Sequence, residues 1–151
     1  MSNFNGWSIS NELFDWIRNN VKDGSTILEL GSGRGTIELC KHYNMFSIEH
    51  DKKYLNKSES TYIHAPIKDG WYDIDFFKLP KEYSLLLVDG PTGSIGRSGL
   101  LKNLDLFHRC IIIIDDTQRK EEYDLYLELC KIYDKEINII ENDEKSFGII
   151  N

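Results

Sequence analysis

The chain has little cysteine, and what it has shows no pattern. Cys40, Cys110 and Cys130 are odd in number, scattered and set among apolar neighbours. They lack the paired spacing of a metal-binding site and read as reduced core residues of a cytoplasmic protein. No apolar run approaches the roughly 20 residues of a membrane span. The longest, residues 110–114, has the length of a buried strand. Met1-Ser2-Asn3-Phe4-Asn5 lacks the basic and apolar regions of a signal peptide. A basic excess is missing too: 18 Lys and Arg against 25 Asp and Glu leave a net charge of −7, which argues against a nucleic-acid footprint. The small cluster Lys52, Lys53 and Lys57 reads as a solvated helix face. There are no repeats, no low-complexity tract and no room for a separate substrate domain, so residues 1–151 are expected to form one domain.

What stands out against these absences is Ile27-Leu28-Glu29-Leu30-Gly31-Ser32-Gly33-Arg34-Gly35-Thr36. An apolar strand runs into glycines at alternate positions and then into a helical pattern. Such a turn lets a ligand approach the main chain, and the helix that follows offers it unpaired N–H groups. Glu29, two residues before Gly31, would repel a dinucleotide pyrophosphate and attract an ammonium group. Glu49 ends the next apolar run, 18 residues after Gly31, where an acid can accept from both hydroxyls of a ribose. The spacing Gly-x-Gly-x-Gly also departs from the Gly-x-Gly-x-x-Gly of dinucleotide binders. Two carboxylates so placed suit S-adenosylmethionine, one for its aminoacyl end and one for its ribose. On these residues the chain resembles the class I S-adenosylmethionine-dependent methyltransferases.

Apolar spacing predicts helices over residues 10–21 (capped by Ser10 or Asn11), 35–43, 100–107 and 120–133. In the last, Tyr123, Tyr126, Leu127, Cys130 and Ile132 supply the apolar positions. Strands are predicted over 26–30, up to Glu49, and over 61–65, 84–88 and 110–114, with a short helix capped by Asp51. A hairpin of 137–140 and 147–150 turns at Asn142-Asp143. The alternation gives an α/β fold, a doubly wound and mostly parallel sheet. With the terminal antiparallel hairpin it resembles the seven-stranded methyltransferase sheet. Residues 68–83 look like a loop, so the helix between the third and fourth strands is reduced.

A second set of acids falls at the carboxyl ends of strands, where ligands of open parallel sheets sit. Asp89 ends the fourth strand and Asp115-Asp116 the fifth, and neighbouring strands lie about 4.8 Å apart. Asp89 with one or both of the others can converge on one point. Their repulsion calls for a cation, and oxygen ligands favour magnesium, calcium or manganese over zinc. This resembles the cation-dependent O-methyltransferases, of the catechol and antibiotic-sugar types. That resemblance implies metal ligands at Asp89, Asp115 and Asp116, with magnesium foremost. Asp89-Gly90-Pro91 followed by Gly96-Arg97 is similar to the enzymes that methylate glucuronic acid on xylan. The resemblance spans about residues 7–119. It departs from the catechol type at Thr92, where that type places a lysine. The Asn-Pro-Pro-Tyr-like sequence of amino-group methyltransferases is absent; Asp89-Gly90-Pro91-Thr92 stands in its place.

The cofactor residues expected are thus Glu29, Gly31, Ser32, Gly33, Gly35, Thr36, Glu49 and His50, with Ser8, Ala65 and Asp89 at the edges. Asp89 is expected to be ligand and proton acceptor, with Asp116 or Asp73 as substitute. Arg97, Arg119 and Tyr72 are candidates for the substrate. The implied activity is O-methylation of a small polar acceptor such as a sugar, with no nucleic acid or membrane as partner. A metal-independent methyltransferase and a non-catalytic cofactor-binding subunit are the alternatives. Without a substrate domain, a partner or homodimer is one way to cover the site.

Overall fold

A computed structural model describes residues 9–151. Ser10 caps α1 (Asn11–Asn20) by accepting from the Leu13 N–H at 3.2 Å, and Leu13 and Ile17 are buried on one side of that helix. Then follow β1 (Thr26–Leu30), α2 (Arg34–Leu39), β2 (Asn44–Glu49) and β3 (Thr61–His64). A small antiparallel hairpin, β4 (Ile67–Lys68) and β5 (Trp71–Tyr72), comes before β6 (Leu85–Val88) and β7 (Ile111–Asp115). The chain ends with α3 (Lys120–Tyr133), β8 (Ile139–Glu141) and β9 (Ser146–Ile150).

Seven strands form one sheet in the order β3-β2-β1-β6-β7-β9-β8. The first five are parallel, and β9 and β8 are antiparallel additions, as the alternating pattern and the terminal hairpin predict. Strand periodicity sorts the core into two layers. Leu28, Leu86 and Ile112 face α3 and the β4–β5 hairpin, whereas Ile27, Leu85, Leu87 and Ile113 face α1. The order of strands reverses between β1 and β6, so a crevice opens at their carboxyl ends.

Several predicted elements differ, and α2 ends at Leu39 where the sequence predicts a helix to residue 43. Residues 68–83 hold no α-helix, as expected, but are not plain loop: they include β5 and a 3-10 turn at Phe76–Lys78. The helix predicted over 100–107 is two 3-10 turns, Ser98–Lys102 and Leu104–Leu106. Asn103 Nδ2 donates to the Gly99 carbonyl at 2.7 Å, and Gly99 lies so close to Trp71 that a Cβ would sit 2.5 Å from it. Local side-chain bonding and tight packing override the helical period there. In α3 the buried residues are Glu122, Leu125, Tyr126, Leu129 and Cys130, while Tyr123 and Ile132 are exposed. The apolar stripe is therefore turned by one position, because Glu122 takes a buried place beside Arg97. The cysteines are free. Among the described residues no helix is long and apolar enough to cross a membrane.

Candidate active site

The site begins where β1 ends. Gly31 has φ +85°, a conformation L side chains rarely adopt, and a Cβ there would stand 2.7 Å from the Asp89 carbonyl. Its N–H is tied to the Ile48 carbonyl (2.8 Å), and the Asp89 N–H to the Leu30 carbonyl (2.9 Å). The ends of β1, β2 and β6 are thereby clamped together, and a hollow of about 880 Å³ lies above them. That is within the roughly 300–1,000 Å³ of small-molecule sites. Gly31, Ser32, Gly33, Glu49, His50 and Tyr72 line one end, and Asp89, Arg97, Asp116, Arg119 and Lys145 the other.

Glu49 is buried at the tip of β2. Its Oε1 accepts from the Ser32 N–H (3.2 Å) and hydroxyl (3.3 Å), and its Oε2 from the His50 N–H (3.1 Å). A carboxylate held to the glycine turn in this way has a fixed direction, with lone pairs left for hydroxyls of a ligand. Glu29 behaves differently. Expected to face the ammonium end of a cofactor, it lies beneath the turn and outside the hollow's lining. Its Oε1 accepts from Thr36 (2.5 Å) and Ser47 (2.6 Å). Burial, outweighing both hydroxyls, pushes its pKa up to about 7. Thr36 in turn accepts from the Gly33 N–H at 3.0 Å, so Glu29 shapes the turn from below.

At the far end the three acids come together. One carboxylate oxygen from each of Asp89, Asp115 and Asp116 lies within 4.8 Å of the others. Successive residues of a strand point to opposite faces. Asp116 escapes that rule because it follows β7 with φ +64°, which lets it join Asp115 on one side. Burial and then Asp115 raise the Asp89 carboxyl well above the usual range, and burial and Asp116 raise that of Asp115. Burial works the same way on Asp116, but Lys145, Arg97 and Arg119 outweigh it and hold its pKa below normal.

Arg97, expected at the substrate, is drawn into this cluster and is 4% exposed. Its guanidinium donates to Asp116 Oδ2 (3.0 Å) and to the Asp115 carbonyl (2.8 Å), and stands 3.6 Å from Asp89 and 3.9 Å from Glu122. Lys145 lies 3.4 Å from Asp116 and 3.7 Å from Asp115. Three oxygen-bearing acids, with an Asp115 Oδ2 that is buried and has no hydrogen-bond partner among the described residues, fit a hard divalent ion. An ion bound there would share these acids with Arg97, Lys145 and Arg119, which are already present.

Of the other expected residues, His50 and Tyr72 line the hollow, as does half-exposed Arg119, 3.7 Å from Asp116. Gly35 is buried under Ile9, and Ala65 is fully buried; neither lines it. Asp73, the substitute base, is exposed and outside the lining, because β5 ends at Tyr72 and its backbone turns to bond Pro66. Ser8 lies outside the described residues. Sequence reasoning missed Lys145 and Glu122. A signal for Lys145 existed: it follows the Asn142 turn, two residues before Phe147, the partner of Asp115 across the sheet.

No family model and no curated protein matches the chain. Solved structures do. It superposes on a precorrin-6y methyltransferase from Geobacter metallireducens with TM-score 0.67 and 11% identity, covering 98% of this chain and 91% of that one. It is also similar to MycE, a methyltransferase of the mycinamycin biosynthetic pathway solved with Mg and SAH. There the TM-score is 0.56 and the identity 14%, over 91% of this chain and 44% of that one. A complex from E. cuniculi, responsible for methylating a translation termination factor, gives 0.56 and 12%, over 91% and 90%. The chain shares its fold with these solved methyltransferase structures.

Proposed function

We propose that the chain is an S-adenosylmethionine-dependent O-methyltransferase acting on a hydroxyl of a small polar acceptor such as a sugar. The observation that carries this is one hollow with two chemically distinct ends. A fixed carboxylate, Glu49, sits beside an open glycine turn at one end, and a buried acid cluster sits at the other. Glu49 accepts from ribose hydroxyls, and Ser32 keeps it aimed. When bound, S-adenosylmethionine supplies an electrophilic methyl group on a sulfonium centre. Asp89, at the rim of the hollow, takes the acceptor's proton. The clamped strand ends hold both partners in line, which supplies much of the rate. The net charge of −7 favours a small acceptor over nucleic acid.

Asp89, Asp115 and Asp116 would hold a divalent cation, magnesium foremost, which supplies positive charge against an acceptor oxygen. A second reading has its own observation. Arg97, Lys145 and Arg119 already stand against these acids, which suits a methyltransferase that needs no metal.

Calorimetry with S-adenosylhomocysteine and with NAD tests the cofactor: the first is expected to bind and the second not. Binding of NAD alone would end this reading. With an acceptor in hand, methyl transfer in chelator decides between the two versions, and undiminished turnover leaves the metal-independent one.

A further inference from the structure

Tyr72 comes from the small β4–β5 hairpin, yet it lines the hollow and its hydroxyl lies against Gly90, just past the end of β6. The side chain is 4% exposed and its ring is fixed from two sides. Trp71 meets it edge-on at 5.4 Å between centroids, and His50 lies at 6.2 Å. A fixed ring fixes its oxygen. That oxygen rests against the crossing of the β1 and β6 ends: a Cβ on Gly90 would collide with it, and the same Cβ would lie 3.0 Å from the Gly31 Cα. Among the described residues the hydroxyl has no hydrogen-bond partner. A buried polar group left in this state is destabilising, and phenylalanine would fill the same space without that cost. The lining residues around it are those of the proposed cofactor seat.

We infer that the Tyr72 hydroxyl is a cofactor-binding group, donating its hydrogen bond to an oxygen of S-adenosylmethionine lying across Gly31 between Glu49 and Asp89. This rests on the cofactor reading above and adds a member to its site. The hairpin thus has a task that its two short strands do not suggest: it delivers one donor to a place where Glu49 and Asp89 supply acceptors. Because the oxygen is immobilised before the cofactor arrives, little ordering is needed on binding.

The test is Tyr72→Phe, which removes one oxygen and keeps the ring. Wild type and variant are compared by thermal unfolding without ligand and by calorimetric titration with S-adenosylhomocysteine. The variant is expected to melt no lower than wild type and to bind about 3- to 10-fold more weakly. Equal affinities would overturn the inference and leave the cofactor seat standing. A variant melting several degrees lower would also overturn it, since the hydroxyl would then have a partner inside the protein. Absence of binding by wild type would remove the cofactor reading itself, and this inference with it.

Discussion

A carboxyl group sealed beneath a glycine turn has to be neutralised or protonated, and the partners of Glu29 are hydroxyls. Its pKa of about 7, against an ordinary 4.5, makes this a statement about stability. Between those values the unfolded chain has released the proton that the folded chain keeps. The folded state is therefore favoured at low pH, and loses on the order of 3 kcal/mol as pH rises through the folded value. Glu29→Gln keeps an oxygen for Thr36 and Ser47 and removes the titration. Denaturant unfolding at about pH 5 and pH 8 should show the wild type weakening against this variant as pH rises. A stability difference that stays constant over that range would mean Glu29 is ionised throughout.

At the scale of elements, most of the sheet could be seen in the chain, because burial on both faces writes itself as short apolar runs. Ile111 to Ile114 and Leu85 to Val88 need no partner to be recognised as strands. The glycine turn and the acids at strand ends were visible for the same local reason. What was hidden depends on contacts between elements. The stripe of α3 includes Glu122 because Arg97 reaches it, and Asp116 joins Asp115 because its backbone is left-handed. Neither fact has a periodic trace, and the seat of the Tyr72 oxygen has none either. The join between α3 and β9 shows how tightly such contacts bind. The Tyr126 hydroxyl donates to the Ile149 carbonyl and accepts from the Asn138 N–H, both at 2.8 Å, and its ring fills the space over Gly148. A Cβ on Gly148 would meet that ring at 2.5 Å. Gly148→Ala should cost about 1–3 kcal/mol by overpacking. Tyr126→Phe should cost a similar amount, about 1–3 kcal/mol, by stranding two backbone groups. Urea midpoints measure both; an unchanged midpoint for Gly148→Ala would show that the helix can slide away.

Across the whole molecule, Arg97 is the point where separate parts of the chain are pinned together. It follows β6 and reaches the Pro91 carbonyl, the end of β7 and the first turn of α3. A protein of net charge −7 gathers Asp89, Asp115, Asp116 and Glu122 at one end of its sheet, and the buried guanidinium among them makes that end stable. Removing one partner of a buried ion pair leaves the others uncompensated, at about 3–5 kcal/mol. Arg97→Met should lose stability in that range while keeping most of the packing of the arginine stem. The variant also separates the two accounts of the acid cluster. If a divalent ion and Arg97 compete for Asp89 and Asp116, magnesium should raise the melting temperature of Arg97→Met more than that of wild type, because the arginine no longer stands in its way. An equal rise in both proteins would place the ion apart from Arg97. No rise in either would mean that the arginine and Lys145 are the cations this cluster is built around.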